Sequence, residues 1–214
     1  SYEGIFGVGY GVMKFNVHSD DISRLEQLEA KMHASRIKKM NQKDPYVRLA
    51  RESLTKYLTE REKLKKIPDY VTDEMKNNRR GVFVSLKKFG ELRGCIGTIY
   101  PTTGSIAEEI MRNALEAGLN DPRFSAVSEE ELPDIDFSVD VLTEPEPAAK
   151  EDLNPKEYGI IVKSKGRTGL LLPDLEGVDT VEEQLSIALR KAGIKPDEDY
   201  TILKFRVIRH QEEQ

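Results

Sequence analysis

The stretch Gly81-Val-Phe-Val-Ser-Leu-Lys-Lys-Phe-Gly-Glu-Leu-Arg-Gly-Cys-Ile-Gly-Thr98 predicts a β-hairpin. In its first half the apolar residues Val82, Val84 and Leu86 alternate with the residues between them, a pattern typical of a strand that buries one face. Gly90 marks the turn, because glycine readily adopts the backbone angles of tight hairpins. The second half is the return strand, which contains the chain's only cysteine.

The return strand carries chemistry as well as structure. Its cysteine, Cys95, follows Arg93 by two positions and has Gly94 before it and Gly97 after it. Alternate side chains of an extended strand point to the same side, so we expect Arg93 and Cys95 to share a face. Glycines in a strand allow a second backbone or a ligand to come close. The strand is therefore either a tight packing device or the floor of a site.

The rest of the chain mixes helices and strands without strict alternation. Residues that commonly cap helices precede apolar stripes of helical period, which predicts helices beginning after Asp44, Ser105 and Thr180. Strands are predicted at residues 135–141, 158–162, 168–172 and 203–207. This mixture predicts an α+β fold, in which a mixed or antiparallel sheet is packed with helices.

Five segments in order resemble the signature of the AMMECR family, named after the Alport syndrome, midface hypoplasia, mental retardation and elliptocytosis chromosomal region. They are the hairpin and the segments Asp44-Pro-Tyr-Val-Arg-Leu-Ala-Arg51, Asn120-Asp-Pro-Arg-Phe124, Glu130-Glu-Leu-Pro-Asp-Ile-Asp136 and Leu189-Arg-Lys-Ala-Gly193. The resemblance covers residues 44–210 and implies an α+β domain with two unequal lobes and a cleft between them. It implies no particular reaction, since the family's molecular activity is not established.

Two further segments are predicted ahead of this domain. Residues 1–18 contain a glycine-rich turn and a short apolar alternation. They resemble the tail of the Memo-like, extradiol-dioxygenase-like domain that precedes the AMMECR domain in some bacterial proteins. They are either a remnant strand of such a fusion or a native N-terminal strand. Residues 19–43 are charged and carry a thin apolar stripe, which predicts a helical linker.

Hydropathy and cysteine content indicate the cellular compartment of the protein. No apolar run reaches the length of a membrane span, and the first residues lack the pattern of a signal peptide. A single cysteine cannot form an internal disulfide, so nothing indicates an oxidising compartment. We therefore expect a cytoplasmic protein with no membrane partner.

Charge is distributed unevenly along a chain whose net charge is −5. Residues 36–66 contain 11 Lys and Arg against 4 Asp and Glu, whereas residues 128–157 contain 11 Asp and Glu against 2 Lys. These segments are either solvated faces or docking surfaces, the basic one for nucleic acid or an acidic partner. Nucleic acid is disfavoured, because the basic segment offers only Tyr46 and Tyr57 as aromatic platforms for bases.

Cys95 is the candidate catalytic residue. A neighbouring cation such as Arg93 would favour its thiolate, which is the nucleophilic form of cysteine. A nucleophile also needs a base nearby, and His210, just after the last predicted strand, either returns to pair with it or is simply an exposed histidine near the chain end. The alternative is that Cys95 is a small buried hydrophobic residue near Leu92 and Ile96.

Five residues are candidates for binding a small polar or anionic ligand. The planar guanidinium of Arg93 suits a carboxylate or phosphate, although it could instead pair with a structural carboxylate such as Asp121. Thr98 either offers its hydroxyl to the same ligand or is simply a good strand former. Asn113, Asp121 and Arg123 would converge with Arg93 on a polar pocket. The alternative for Asp121 and Arg123 is a rigid structural turn.

No metal or cofactor is expected, since the sequence lacks cysteine pairs, zinc-binding histidine spacings and a phosphate-loop fingerprint. The first functional hypothesis is an enzyme or enzyme component with a small polar pocket around Arg93 and Cys95. The resemblance adds Memo-like and radical-SAM proteins as partners in a modification pathway. The second hypothesis is a non-catalytic protein-interaction module, and a weaker third is RNA or nucleotide binding.

Overall fold

The computed structural model describes residues 22–40 and 43–212 of the 214-residue chain. The chain divides into two compact units, residues 1–37 and residues 38–214. The helices in the described residues are α1 (Ile22–Met40), α2 (Pro45–Glu60), α3 (Asp73–Asn77), α4 (Ile106–Leu119) and α5 (Val181–Ala192). The strands there are β1 (Val82–Lys88), β2 (Glu91–Gly97), β3 (Ile135–Leu142), β4 (Glu146–Pro147), β5 (Gly159–Ser164), β6 (Arg167–Leu171), β7 (Thr201–Phe205) and β8 (Val207–Gln211).

Side-chain caps explain where the three predicted helices begin. The Asp44 carboxylate accepts hydrogen bonds from the first backbone N–H groups of α2. The hydroxyls of Ser105 and Thr180 do the same for α4 and α5. These bonds satisfy donors that the first turn of a helix leaves without a partner. The predicted strand within residues 1–18 lies outside the described residues.

The larger sheet, sheet A, contains four antiparallel strands in the order β2-β1-β3-β8. Helices α2 and α4 cover one face of it and bury the alternating apolar residues of β1 and β3. These residues are Val82, Val84, Leu86, Ile135, Phe137, Val139 and Val141. The opposite face carries the residues between them, among them Ser85, Ser138 and Asp140, and is called the polar face of sheet A.

Strand β2 departs from regular alternation. Leu92 and Gly94 lie opposite consecutive residues of β1, so Arg93 between them has no partner on that strand. The extra residue of such a β-bulge interrupts the period of two. Strict alternation therefore does not set the direction of Arg93 relative to Cys95, and the contacts of the Arg93 side chain decide its role.

The smaller sheet, sheet B, has the order β4-β7-β5-β6 and is also antiparallel, with α5 against one face. The single last strand predicted at residues 203–207 is two strands, β7 in sheet B and β8 in sheet A. At the crossing, the N–H of Arg206 donates to the Thr143 hydroxyl (2.8 Å), and the Thr143 N–H donates to the Arg206 carbonyl (2.9 Å). The chain thus changes sheets without leaving the Arg206 backbone unpaired.

Each sheet has its own hydrophobic core, and a third cluster joins the two sheets. The core under sheet A is the larger, and the core under sheet B is built with α5. Between the sheets, Phe83 and Leu142 of sheet A pack with Ile161 and Phe205 of sheet B. The α+β fold with two unequal lobes is therefore confirmed. None of the helices in residues 22–40 and 43–212 is long and apolar enough to span a membrane.

Two glycines allow a helix to lie close to an edge strand. A Cβ at Gly94 of β2 would lie 2.2 Å from the carbonyl oxygen of Ala117 in α4. A Cβ at Gly169 of β6 would lie 2.2 Å from the carbonyl oxygen of Ala188 in α5. Such overlap would force helix and strand apart in a close-packed interior. Each lobe therefore depends on one glycine for the approach of its main helix.

We expect Gly94→Ala to lower the free energy of unfolding by about 1–3 kcal/mol, the usual cost of overpacking a core. Urea denaturation followed by circular dichroism measures the change. Gly104→Ala is the matched control, because the atom nearest its Cβ is the end of the flexible Glu108 side chain. Equal stability of the two variants would contradict the close contact between α4 and β2.

Candidate functional site

Cys95 lies on edge strand β2, and its side chain belongs to the polar face of sheet A. It is a free thiol and is partly exposed. Ser85 of β1 lies directly opposite, and its hydroxyl donates a hydrogen bond to the Cys95 sulfur at 3.2 Å. Ser138 of β3 lies opposite Ser85 in turn. Cys95 is therefore the end of a row of small polar side chains that crosses three strands.

The backbone of Cys95 faces the open edge of sheet A, where the described residues contribute no further strand. The Asp121 carboxylate accepts a hydrogen bond from the Cys95 N–H (2.8 Å), and the Arg123 guanidinium donates to the Cys95 carbonyl (3.1 Å). The Arg123 Nε and Nη2 atoms also lie 3.0 and 2.8 Å from the Asp121 carboxylate oxygens. This pair, the Asp121–Arg123 clamp, satisfies backbone groups that a neighbouring strand would otherwise satisfy.

Both charges of the clamp are stabilised. The hydrogen bond from Arg123 outweighs burial and, with backbone N–H bonds from Cys95 and Arg123, holds the pKa of Asp121 well below its usual range. The hydrogen bond to Asp121 raises the pKa of Arg123, and the nearby Cys95 acts in the same direction. The clamp therefore stays ionised at ordinary pH and keeps a guanidinium close to the thiol.

Arg93 binds groups of the protein itself. Its Nε and Nη2 atoms lie 3.1 and 3.0 Å from the two oxygens of the Glu131 carboxylate. Its guanidinium also donates to the carbonyls of Ser125 (2.8 Å) and Ala126 (3.3 Å). The structural partner suggested for Arg93 by the sequence was Asp121, but Asp121 pairs with Arg123 instead. The fork of Arg93 is thus filled by Glu131, and it ties the loop after α4 to β2.

Thr98 also contacts a residue of the protein. Its hydroxyl donates to Glu109 of α4 at 2.6 Å. Glu109 is fully buried and accepts further hydrogen bonds from the N–H and hydroxyl groups of Thr102 and Thr103. Burial raises the pKa of Glu109, but these hydrogen bonds outweigh it and lower the pKa below its usual value. Sequence reasoning missed Glu109, whose signal is a carboxylate within the mainly apolar buried face of α4.

Asn113 lies on the other side of sheet A. It is fully buried in α4, and its Nδ2 donates to the Val82 carbonyl at 2.9 Å. Its Oδ1 is a buried atom for which the described residues provide no hydrogen-bond partner. Because α4 covers the apolar face and Cys95 belongs to the polar face, the structure does not bring Asn113 together with Cys95 or with the clamp.

The sequence model of the AMMECR1 family matches residues 47–213, which include all the candidate site residues. The chain belongs to the AMMECR1 family. A Clostridium acetobutylicum protein is 65% identical over 212 residues, which is 99% of this chain but 45% of that protein. This chain therefore spans less than half the length of that relative. A Thermotoga maritima protein is 48% identical over 171 residues, or 78% of this chain and 97% of that protein.

A solved structure shares the AMMECR1 fold described above. The crystal structure of an uncharacterized protein from Pyrococcus horikoshii matches with a TM-score of 0.71 and 32% sequence identity. The match covers 78% of this chain and 90% of that chain. The likeness therefore extends over both sheets and their helices rather than over one lobe alone.

In this AMMECR1 domain, His210 lies away from Cys95. It pairs with Val139 of β3, so its side chain belongs to the face that the helices cover. There its Nδ1 lies 2.8 Å from an Asp44 carboxylate oxygen, and its ring stacks on Tyr46 with centroids 3.8 Å apart. His210 therefore does not supply the base for Cys95, because residues of opposite parity in paired strands face opposite sides.

The site thus consists of Cys95, Ser85 and the clamp. The Arg123 side chain is 54% exposed, whereas the Arg93 side chain is 14% exposed, so Arg123 is the guanidinium that can reach a ligand. Within residues 22–40 and 43–212 the structure shows no group of three or more His, Cys, Asp or Glu side chains that could hold a metal ion. The arrangement can bind a polar or anionic group beside a thiol.

The Arg93–Glu131 pair predicts a pH dependence of stability. The hydrogen bond from Arg93 lowers the pKa of Glu131 from 4.5 to about 2 in the folded protein. Its contribution is therefore complete above about pH 4.5 and is lost as the pH falls towards 2. We expect Glu131→Gln to remove on the order of 1 kcal/mol at neutral pH, since water weakens a partly exposed pair.

The measurement is the free energy of unfolding as a function of pH for both proteins. The Glu131→Gln profile should be flatter than the wild-type profile in the acid range. Glu129→Gln is the matched control, because Glu129 is an exposed carboxylate in the same turn. If the free energy of unfolding of Glu131→Gln falls in acid as steeply as that of the wild type, the pH dependence does not come from the Arg93–Glu131 pair.

Proposed function

We propose that this AMMECR1 domain is an enzyme or enzyme component that binds a small polar or anionic ligand on the polar face of sheet A, beside Cys95. The observation that carries the proposal is the use of two charged side chains to hold the backbone of a single residue. Asp121 and Arg123 hold the backbone of Cys95, while the residue itself stays partly exposed. Such support from neighbouring groups is what a positioned reactive or binding group requires.

In this proposal Cys95 is the candidate nucleophile and Arg123 the group that attracts the ligand. The Ser85 hydroxyl donates to the sulfur and orients it. Arg93 and Thr98 act as positioning residues, because each is bonded to a carboxylate of the protein, Glu131 and Glu109 respectively. The base that a thiol nucleophile needs would come from the ligand, from solvent or from a partner protein.

The proposed setting is a cytoplasmic modification pathway with Memo-like and radical-SAM proteins as partners. The resemblance of residues 1–18 to the tail of a Memo-like domain motivates this setting. The Clostridium relative matches 99% of this chain with only 45% of its own length. More than half of that relative therefore lies outside the matched region, which is room for a further domain. Purification of the full-length relative with its bound proteins tests this setting.

The thiol is tested with two alkylating reagents of similar size, the anionic iodoacetate and the neutral iodoacetamide. Cys95 is the only cysteine, so the reaction reports on it alone. We expect both to modify the folded protein. The ratio of the iodoacetate rate to the iodoacetamide rate should fall about fivefold in Arg123→Gln. That factor corresponds to roughly 1 kcal/mol for two charges about 4 Å apart in water.

The ratio at one pH removes the effect of the thiolate fraction, since both reagents attack the thiolate. Arg209→Gln is the matched control, because Arg209 lies on the same face but pairs with Asp140. Its rate ratio should equal that of the wild type. If Cys95 is alkylated only as fast as the protein unfolds, Cys95 is not a nucleophile in the folded protein. The second candidate function, a protein-interaction module, would then be favoured.

The second candidate is a protein-interaction module, and the tip of the β1–β2 hairpin favours it. Phe89 and Gly90 form the turn with φ of 53° and 86°. Positive φ is costly for a bulky residue, and Asn-Gly is the common choice in such turns. Phe89 is nevertheless 75% exposed, with Leu92 also exposed beside it. An aromatic residue that strains the turn and buries little surface is suited to contact a partner.

We expect Phe89→Asn to raise the free energy of unfolding by about 1 kcal/mol, since asparagine tolerates the left-handed conformation better than bulky side chains do. The urea midpoint measures this effect. The same variant should lose binding to a Memo-like partner, whereas Phe89→Tyr keeps the ring and should bind as the wild type does. A Phe89→Asn variant that is less stable would show that the ring serves the fold.

A further inference from the structure

Gly97, two residues after Cys95 on β2, has backbone groups that also face the open edge of sheet A. The Thr98 N–H donates to the Val82 carbonyl at 3.0 Å, so these two residues form a hydrogen-bonded pair. Bonded and non-bonded pairs alternate along an antiparallel ladder, so the neighbouring pair, Gly97 with Phe83, is non-bonded. The outward N–H and C=O of Cys95 follow the same alternation. The N–H and C=O of Gly97 therefore point away from β1, roughly 7 Å along the strand from those of Cys95.

An aromatic ring lies over Gly97 on the polar face of sheet A. A Cβ at Gly97 would lie 2.2 Å from the nearest atom of the Phe83 ring, so the ring takes the place of a side chain there. Cys95 and Gly97 are alternate residues of one strand and share this face. The ring is therefore the neighbour of the Cys95 thiol along β2. Phe83 is only partly buried, which leaves part of the ring for contact with a ligand.

The two outward-facing positions of β2 differ in what they offer. At Cys95 the edge is closed by the Asp121–Arg123 clamp. At Gly97 the described residues contribute no further strand, and the glycine is partly exposed. An outward N–H beside an outward C=O pairs with the backbone of an incoming extended chain, and a glycine lets that backbone come close. The Gly97 end of the edge is therefore suited to an extended peptide.

The clamp limits how far such a peptide can continue. An antiparallel peptide strand runs from Gly97 towards Cys95, where the clamp occupies the place of its next pairing residue. The bonds of Arg123 to Asp121 and to the Cys95 carbonyl use Nε and Nη2, so none of them uses Nη1. The Arg123 side chain is 54% exposed. A peptide that ends at the clamp brings its terminal carboxylate to this guanidinium, which is a suitable partner for it.

We infer that the ligand of the Cys95 site is the C-terminal end of a peptide chain. This ligand class rests on the proposed function and makes it more specific. The penultimate residue of the peptide exchanges both backbone hydrogen bonds with Gly97 and packs its side chain on Phe83. The terminal carboxylate binds Arg123. The Cys95 thiol lies beside the peptide end on the same face of the sheet.

Titration of the whole ¹⁵N-labelled chain with acetyl-Ala-Phe-Ala, as the free acid and separately as the C-terminal amide, tests this assignment. Backbone amide shifts should be saturable and concentrated in residues 95–98 and 121–124. The acid should bind about tenfold more tightly than the amide, which corresponds to roughly 1.4 kcal/mol. In Arg123→Gln this difference should disappear. In the matched control Arg209→Gln it should remain, because Arg209 lies on the same face but pairs with Asp140.

N-methylated peptides test the register. A methyl group on the penultimate nitrogen removes the donor to the Gly97 carbonyl and should weaken binding about tenfold. The nitrogen of the last residue points away from β2, so a methyl group there is the matched control and should leave the affinity unchanged. Equal weakening by the two methyl groups would overturn the inference.

Two other results would also overturn it. One is the absence of saturable shifts at about 10 mM peptide, a very weak Kd. The other is equal affinity for acid and amide, a comparison on the wild type that does not depend on the folding of Arg123→Gln. Alkylation of Cys95 that favours iodoacetate, without peptide binding, would remove the peptide and keep the proposed function. Peptide binding at these amides in a protein whose Cys95 is not alkylated would support the peptide site and exclude the nucleophile.

Discussion

Backbone groups at the edge of a sheet need partners, and at Cys95 the partners are the side chains of Asp121 and Arg123. This constraint orders much of the larger lobe. Asp121 follows shortly after α4, so the clamp sets where the chain goes once the helix ends. The Arg93–Glu131 pair then fixes the next part of the same loop. Edge strand, helix end and loop therefore behave as one structural unit.

Helix α4 holds β2 in a second way. Its carbonyl at Ala117 lies where a side chain at position 94 would be, so the strand and helix meet backbone to backbone. The smaller lobe repeats this solution with Gly169 and α5. Two lobes of unequal size are thus built on the same principle, a helix lying close to an edge strand at a glycine. The crossing at Arg206 and the cluster around Phe83 join them.

Most charged groups around the signature strand are bonded to the protein. Arg93, Asp121 and Glu131 are largely buried and paired, and Glu109 is buried within a set of threonine hydrogen bonds. Within the site, Cys95 is partly exposed and the Arg123 side chain is largely exposed, so both are accessible to other molecules. The function of the site therefore depends on these accessible groups rather than on the side chains that are paired within the protein. The residues that hold the strand explain why those groups are well placed.

Local patterns in the sequence determined the elements of this protein. Alternation in β1 and the caps of α2, α4 and α5 depend on neighbours within a few residues, and these predictions were confirmed. The resemblance of five segments to the family signature independently indicated the same fold class. Only the tertiary structure decided the contacts of the site. The bulge at Arg93 breaks the alternation of β2, so the direction of the Arg93 side chain could not be predicted from its spacing to Cys95. His210 pairs with Val139, and its side chain therefore lies on the face of sheet A opposite Cys95. These outcomes depend on which distant segments pack together, and local spacing contains no information about that.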